Sequence, residues 1–224
     1  MTAAEQGGRF DRAVGALVGL ACGDAVGTTL EFKRPGSFQP ITDMTGGGPF
    51  KLRAGEWTDD TTMALCLAES LLDRGGQDPA DQMRRYLLWR DEGYFSVKGR
   101  CFDIGNATST QLRRFAHTGE AVDPRPDEDK AANGSLMRLA PVPIRWHTDV
   151  AAAAEEAAAS SRTTHGATRP VDACRVLGAM TAAVITGPWS SPQPTADSTL
   201  QAGCGSGATS GPRRAASRAL TWWK

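Results

Sequence analysis

The chain has 224 residues, of which 40% are hydrophobic and 22% charged, and its 25 basic side chains balance its 25 acidic ones. This length suffices for one domain with a sizeable core, and the composition excludes a fibre or a fully disordered chain. The zero net charge excludes an overall attraction to nucleic acid or to an anionic membrane, so we expect neither as a partner. A phosphate-bearing ligand would need a local site.

The cysteines and the N-terminal residues indicate the compartment. The five cysteines have no CxxC spacing, and the first four lie among apolar residues: Cys22, Cys66, Cys101 and Cys174, with Cys204 as the fifth. This pattern favours reduced, mostly buried thiols in a cytoplasmic protein over a disulfide framework or a zinc site. The polar residues 1–10 lack the apolar core of a secretory signal, and no run approaches the roughly 20 apolar residues of a membrane span.

The first half of the chain predicts three helices. Apolar and small residues recur at helical spacing before Gly27, which indicates a buried helix that ends there. A long, ordered Gly- and Pro-rich loop follows over residues 33–55. Asp78 before Pro79 is typical of an N-cap with proline at the first helical position. The predicted helices cover residues 11–26, 58–73 and 78–89.

The second half predicts three more helices. The middle one is rich in alanine and therefore has a high helix propensity. A polar loop is expected at 123–129. No alternating strand pattern occurs, so the predicted fold class is all-α. The helices cover residues 108–115, 149–160 and 170–186, and the last of them places Ala173, Leu177, Met180 and Val184 on one apolar face.

The composition changes abruptly after Gly187. Residues 188–224 are dominated by Ser, Pro, Gly, Ala and Arg and show no sustained apolar periodicity, which predicts a disordered tail. The alternative is an arm that contacts an anionic ligand through Arg213, Arg214, Arg218, Trp222 and Trp223.

The segment Trp57-Thr58-Asp59-Asp60-Thr61-Thr62 combines a hydroxyl and two adjacent carboxylates at the start of an apolar helix. Oxygen ligands of this kind suit a hard divalent cation. The alternative is an ordinary helix start, in which Thr58 caps free N–H groups and the acidic residues oppose the helix dipole.

Two further acidic residues stand beside glycine turns. Glu31 follows Gly23-Asp24-Ala25-Val26-Gly27, and it is either a catalytic carboxylate or a solvated side chain after a C-cap glycine. Asp103 lies between apolar residues before Gly105-Asn106. It is either the centre of an Asx-turn or helix cap, or a ligand-binding acid.

Two polar turns complete the candidate site. The turn Asn133-Gly134-Ser135 has N–H groups that could cradle a phosphate or ribose, although a purely structural turn is the alternative. Arg138 could bind phosphate or pair with a carboxylate. His165, in a loop before the last helix, is either a hydrogen-bonded structural residue or a functional one.

Taken in order, these motifs resemble those of the ADP-ribosylglycohydrolases, which include the dinitrogenase-reductase-activating glycohydrolases. The resemblance covers residues 10–187. It rests on five motifs in sequence order: Gly19-Leu20-Ala21-Cys22-Gly23-Asp24-Ala25-Val26-Gly27 with Glu31, Trp57-Thr58-Asp59-Asp60-Thr61, Phe102-Asp103-Ile104-Gly105-Asn106, Asn133-Gly134-Ser135-Leu136-Met137-Arg138 and Thr164-His165.

The resemblance implies a compact all-α bundle with a two-metal site for Mg²⁺, or alternatively Mn²⁺. It also implies hydrolysis of the glycosidic bond in an ADP-ribosylated protein or a small ADP-ribose conjugate. Thr58, Asp59 and Asp60 are then the metal ligands, and Glu31 acts catalytically with Asp59 and Asp60, near the scissile ribose bond. The implied ADP-ribose-binding residues are Asp103, Asn133, Gly134, Ser135 and His165, with Arg138 in support.

One part of the family pattern is missing. The family has a second acidic motif near its C-terminus, Asp-x-Asp-Thr, which supplies further metal ligands, whereas the only late acid here is Asp197. Ala132 also stands where the family often has glycine. The domain at 10–187 is therefore predicted to be C-terminally incomplete, as after a truncation or frameshift. The alternative functions are a non-catalytic ADP-ribose-binding or vestigial protein and, more remotely, a structural domain.

Overall fold

The structure, a computed structural model, describes residues 3–124 and 126–187. Over these residues the chain forms helices and no strand, with one isolated bridge between Gly47 and Leu52. The predicted all-α class is therefore confirmed. The predicted tail at 188–224, with Asp197 and Cys204, lies outside the described residues.

The described residues form seven α-helices and two 3-10 turns. The helices are α1 (Ala3–Gly27), α2 (Asp59–Arg74), α3 (Pro79–Glu92), α4 (Asn106–Thr118), α5 (Pro141–Arg145), α6 (Val150–Arg162) and α7 (Thr168–Thr186), with 3-10 turns at Thr28–Leu30 and Glu128–Lys130.

All six predicted helices are present, the predicted N-cap at Asp78 is confirmed, and Asp149 caps α6 in the same way. The Asp78 carboxylate accepts the N–H of Asp81 at 2.9 Å, and the Asp149 carboxylate accepts that of Ala152 at 2.9 Å. The loop between α1 and α2 is also as predicted. The sequence did not predict α5 or the 3-10 turns, and the turn at Glu128–Lys130 occupies the end of the expected polar loop.

The core is organised around α2, which is buried on two sides. One side packs with α3 and α4 in a cluster formed by Met63, Cys66, Met83, Tyr86, Trp89, Leu112 and Phe115. The other side packs with α5, α6 and α7 through Leu67, Leu71, Leu139, Val142, Ala157 and Cys174. Since α2 is fixed from both sides, its N-terminus holds Thr58, Asp59 and Asp60 in a rigid position.

The four cysteines in the described part of the chain are free thiols, as predicted. Cys66 and Cys174 are buried, whereas Cys22 and Cys101 are half-buried. Burial raises the pKa of the thiols of Cys66, Cys101 and Cys174, so they are not thiolates at neutral pH.

Helix α7 turns a different face to the core from the predicted one. The predicted residues do share a face, but Leu177, Met180 and Val184 are 38%, 61% and 46% exposed. The prediction failed because small residues form the actual contact with α6. A Cβ atom on Gly178 would lie 2.7 Å from that of Ala157, so the two helices are close only because Gly178 has none. The buried residues of α7 are Pro170, Val171, Cys174, Gly178, Ala182 and Ile185.

Helix α1 is apolar and lies largely at the surface. The stretch Gly7–Leu30 has a mean hydropathy of 1.5 and is long and apolar enough to cross a membrane, by length and composition only. This finding differs from the expectation that no run approaches the length of a membrane span, although buried core helices of soluble proteins and signal sequences near the N-terminus pass the same test. In this fold α1 contacts α2, α5 and α7, and near its C-terminal end Asp24 bonds to residues of α2.

Candidate active site

A cavity of about 710 Å³ lies where the end of α1, the start of α2, the loop before α4 and the loop before α5 meet. It brings together eight of the nine predicted site residues, and only Ser135 of that set does not line it. The eight are Glu31, Thr58, Asp59, Asp60, Asp103, Asn133, Gly134 and His165. Asp24 lines the cavity as well. These residues are far apart in sequence, so the fold creates the site.

Asp24 organises the start of α2 and was not among the predicted site residues. Its carboxylate accepts the N–H and hydroxyl of Thr58 at 3.0 and 2.8 Å, and the N–H and hydroxyl of Thr61 at 3.1 and 2.7 Å. The predicted capping role of the Thr58 side chain is wrong, because that side chain makes no cap hydrogen bond. Asp24 of α1 accepts the N–H groups of Thr58 and Thr61 instead. Its glycine-flanked motif was visible in the sequence, but its partners lie 34 and 37 residues away.

Asp59 and Asp60 form an acidic wall next to Asp24. Asp59 is only 6% exposed, and burial, followed by repulsion from Asp60 and Asp103, raises its pKa to about 9. Burial and the charge of Asp24 raise the pKa of Asp60 to about 6. These carboxyl groups lie close enough to disfavour each other's ionisation, which an added cation would relieve.

Glu31 and Asp103, which both line the cavity, form a hydrogen-bonded carboxyl pair. Burial and the charge of Glu31 raise the pKa of Asp103 to about 7, while burial also raises the pKa of Glu31. The pair therefore holds a proton more readily than an isolated carboxyl group would. Glu31 is consequently not the solvated side chain of the alternative interpretation. Asp103 has a φ of 60°, an unusual backbone conformation for a residue other than glycine.

A second, neutral wall of the cavity is polar and uncharged. Asn133, Gly134 and His165 line it. Burial, and then the positive charge of Arg138, lower the pKa of His165 to about 3, so its imidazole is neutral. Ser135 lies behind this wall, and its hydroxyl accepts that of Ser161 at 2.8 Å in the core. Its placement does not support direct contact with a ligand.

Arg138 takes neither of the two roles considered for it. Its side chain is 0% exposed and does not line the cavity. Within residues 3–124 and 126–187 it forms no ion pair with a carboxylate. Instead the guanidinium lies over the Tyr86 ring, 4.7 Å from its centre, and donates hydrogen bonds to neutral oxygens of neighbouring turns. Arg138 therefore supports the neutral wall from behind.

The residues of the acidic wall suit a hard cation in part. Carboxylates and a threonine hydroxyl are the donors that magnesium prefers, and no lysine or arginine is among the described residues that line the cavity. Among the described residues, however, no three His, Cys, Asp or Glu side chains are arranged to hold a metal ion. The described wall thus offers an incomplete set of ligands, and the remaining positions would need water, a ligand or other parts of a protein.

The sequence profile of the ADP-ribosylglycohydrolase family matches residues 5–223. The chain belongs to this family. Among related ADP-ribosylglycohydrolases, it is similar to the ADP-ribosylarginine hydrolase Tri1 of Pseudomonas putida (strain GB-1), with 46% identity over 178 residues. It is also similar to the ADP-ribosyl-[dinitrogen reductase] glycohydrolase of Rhodospirillum rubrum, with 37% identity over 181 residues. The predicted resemblance is therefore confirmed.

One solved structure has a similar fold. It is described as an ADP-ribosylglycohydrolase-related protein complex, and it matches with a TM-score of 0.68 and 44% identity over 80% of this chain and 58% of that one. The two named relatives are matched over 80% and 79% of this chain but over 48% and 59% of their own lengths. The chain thus spans about half the length of the relatives it matches.

Proposed function

We propose that this chain binds ADP-ribose attached to a protein side chain and hydrolyses the glycosidic bond at the ribose, with Mg²⁺ as cofactor. The observation that carries the proposal is the presence, in one cavity, of an acidic group of residues and a neutral polar group of residues. The neutral wall can accept the anionic diphosphate without repulsion. The acidic wall can accept a cation and the ribose hydroxyls.

Thr58, Asp59 and Asp60 would hold the cation. The raised pKa values of both carboxyl groups support this assignment, because a bound cation would offset the repulsion that now disfavours their ionised forms. When bound, a divalent cation supplies Lewis-acid chemistry and a fixed positive charge. Mn²⁺ has the same preference for oxygen ligands and is the alternative.

Glu31 and Asp103 are suited to move protons. Cleavage at C1 of the ribose develops positive charge on the sugar ring, which the ionised Glu31 would stabilise. Glu31 can take a proton from the attacking water as the C1–O bond forms. Asp103 can give its proton to the leaving nitrogen after the C1–N bond breaks. The pair therefore ends with the same number of protons as it began with.

An arginine linkage fits this cavity. The guanidinium of ADP-ribosylarginine is cationic, and it would lie near carboxyl groups of the acidic wall rather than near a lysine or arginine. Similarity to an ADP-ribosylarginine hydrolase supports the same choice. We therefore propose ADP-ribosylated arginine as the substrate class.

The test is release of ADP-ribose from a peptide carrying ADP-ribosylarginine, followed by chromatography. With Mg²⁺ the full chain should release ADP-ribose, and a chelator should stop the release. Glu31→Gln should slow it by about 100-fold or more, whereas Asp43→Asn, an exposed acid in the loop before α2, should not. Equal rates for Glu31→Gln and the unaltered chain would refute the proposed role of Glu31.

A second candidate function is binding of ADP-ribose without turnover. It is favoured by the incomplete set of metal ligands among the described residues and by the match to about half of each relative. Calorimetry with ADP-ribose distinguishes the two candidates. Binding with no release from the peptide would establish the binding protein, whereas neither binding nor release from a folded chain would exclude both.

A further inference from the structure

Arg138 carries a buried positive charge behind the neutral wall. All of its hydrogen-bond partners among the described residues are uncharged oxygens. Its guanidinium donates to the Thr164 hydroxyl oxygen at 2.8 Å, to that of Thr163 at 3.3 Å and to the Gly134 carbonyl at 3.2 Å. A buried guanidinium requires such partners, since its desolvation is costly. The consequence for Thr164 is definite: its oxygen acts as an acceptor.

The acceptor role of the Thr164 oxygen determines the direction of its hydrogen bond with the neighbouring His165. A guanidinium has no acceptor atom, so the Thr164 hydroxyl proton cannot point to Arg138. The Thr164 oxygen lies 2.8 Å from Nδ1 of His165, and the structure gives its proton no other acceptor among the described residues. The hydroxyl therefore donates to Nδ1. Nδ1 must then be unprotonated, and the single ring proton of a neutral imidazole lies on Nε2.

The protonated nitrogen of the ring, Nε2, is the one that can interact with a ligand in the cavity. His165 lines the cavity, and Nδ1 is occupied by Thr164, so Nε2 is the nitrogen available to a ligand. The backbone N–H of His165 donates to the Ser161 carbonyl at 2.7 Å, which fixes the base of the side chain. Gly134 permits the ring position, because a Cβ atom there would lie 2.7 Å from Cε1 and 3.0 Å from Nε2.

We infer that Arg138 and Thr164 fix His165 as the neutral imidazole with its proton on Nε2, so that the ring offers a hydrogen-bond donor to an acceptor oxygen of the ligand. Arg138 and Thr164 are positioning residues, since they act through His165. This assignment also excludes His165 as a general base at Nε2. The tautomer stands independently of the activity, whereas the role as donor to ADP-ribose rests on the proposed function.

Nuclear magnetic resonance of the ring nitrogens tests the tautomer directly. The chain has three histidines, so labelling histidine with ¹⁵N gives few signals, and His165→Asn identifies those of His165. At neutral pH the expected spectrum shows a pyridine-type Nδ1 and a pyrrole-type Nε2 for His165. A pyrrole-type Nδ1, or a doubly protonated ring, would overturn the inference.

Variants of Thr164 test the role of the hydroxyl. Thr164→Val removes it and should shift the Nδ1 signal or mix the two tautomers, whereas Thr164→Ser should restore the original spectrum. Thr163→Val is the matched control, because the Thr163 hydroxyl also accepts from Arg138, whereas the hydroxyl that is bonded to the ring is that of Thr164. Unchanged ring signals in a folded Thr164→Val protein would overturn the proposed role of Thr164. Should that variant not fold, the spectra of the unaltered chain and of Thr164→Ser still decide the tautomer.

Titration with ADP-ribose separates this inference from the proposed function. The Nε2–H signal should move as ADP-ribose binds. Binding measured by calorimetry with no movement of that signal would overturn the donor role. If ADP-ribose does not bind at all, the proposed function and the donor role fail together, while the spectrum of the free chain still confirms or refutes the tautomer.

Discussion

The Asp24 carboxylate on α1 accepts the hydroxyl proton of Thr58 at 2.8 Å and its backbone N–H at 3.0 Å. The backbone N–H and the hydroxyl of Thr58 are both directed at Asp24. The lone pairs of the hydroxyl oxygen therefore remain available to a ligand in the cavity. Asp24 thus determines how a proposed metal ligand is oriented, although it belongs to a different helix.

Asp24→Asn should weaken the start of α2. The amide removes the negative charge and replaces one acceptor oxygen by a donor, so at least one N–H or hydroxyl loses its partner. We expect the free energy of unfolding to fall by about 1–3 kcal/mol, measured with urea. Asp11→Asn, an exposed acid on the same helix, is the control and should have little effect. Equal stability of both variants would contradict this account.

Gly134→Ala should destabilise the neutral wall. The added Cβ atom would lie 2.7 Å from Cε1 of His165, so the ring or the turn must move. We expect a loss of about 1–3 kcal/mol in the free energy of unfolding, as for overpacked cores. Gly23→Ala adds a methyl group to α1 where nothing lies within 4 Å. That control should keep or slightly raise the stability, because alanine favours helix.

Neighbouring residues of α7 test which face is buried. Ile185 is 1% exposed and Val184 is 46% exposed. Ile185→Ala should lower the free energy of unfolding by about 2–4 kcal/mol, whereas Val184→Ala should change it by no more than about 0.5 kcal/mol. Thermal or urea unfolding compares the two. The opposite order would restore the face that the sequence pattern predicted.

Asp81 should make stability depend on pH. Burial alone would raise its pKa, but hydrogen bonds from Arg85 and Arg74 outweigh that effect and hold the pKa of Asp81 well below its usual range. A lowered pKa in the folded state stabilises the fold above the unfolded value of about 3.9. The contribution is lost as the pH falls from the unfolded towards the folded pKa.

Asp81→Asn should therefore cost about 2–3 kcal/mol at pH 7, and the difference from the unaltered chain should shrink below about pH 4. Urea unfolding at several pH values measures both effects. Asp91→Asn is the control, because the Arg90–Asp91 pair lies at the surface, and it should be nearly neutral at every pH. A constant difference for Asp81→Asn across the pH range would disagree with this explanation.

Local signals and periodicity were sufficient for much of the fold. Asp78 before Pro79 indicates a helix start because the cap involves residues only three apart. The short helix α5 gave no such signal, since five residues are too few to show a period. The inner face of α7 was missed because Gly178 and Ala182 allow close packing while carrying little apolar surface. Residue size and hydrophobicity alone therefore predicted the wrong face.

Site residues that belong to a local sequence motif could be predicted. Contacts between residues that are distant in sequence could not. The acidic pair Asp59 and Asp60 was found from the sequence, but the bonds of Asp24 to α2 join residues that no local rule relates. The same applies to Arg138, whose oxygen partners belong to turns up to 26 residues away. Only the fold shows that Arg138 lies behind the cavity and acts on it indirectly, through Thr164 and the ring of His165.

The contacts of Asp24 have a consequence for local opening of the fold. Amide hydrogens at a helix N-terminus usually exchange quickly with solvent, since no preceding turn accepts them. Here the amides of Thr58 and Thr61 are bonded to a side chain of α1. Their exchange rates therefore report how often the end of α1 separates from α2. Each such separation would also release the hydroxyl of Thr58, so the lifetime of the assembled site is limited by the docking of a helix that is itself largely at the surface.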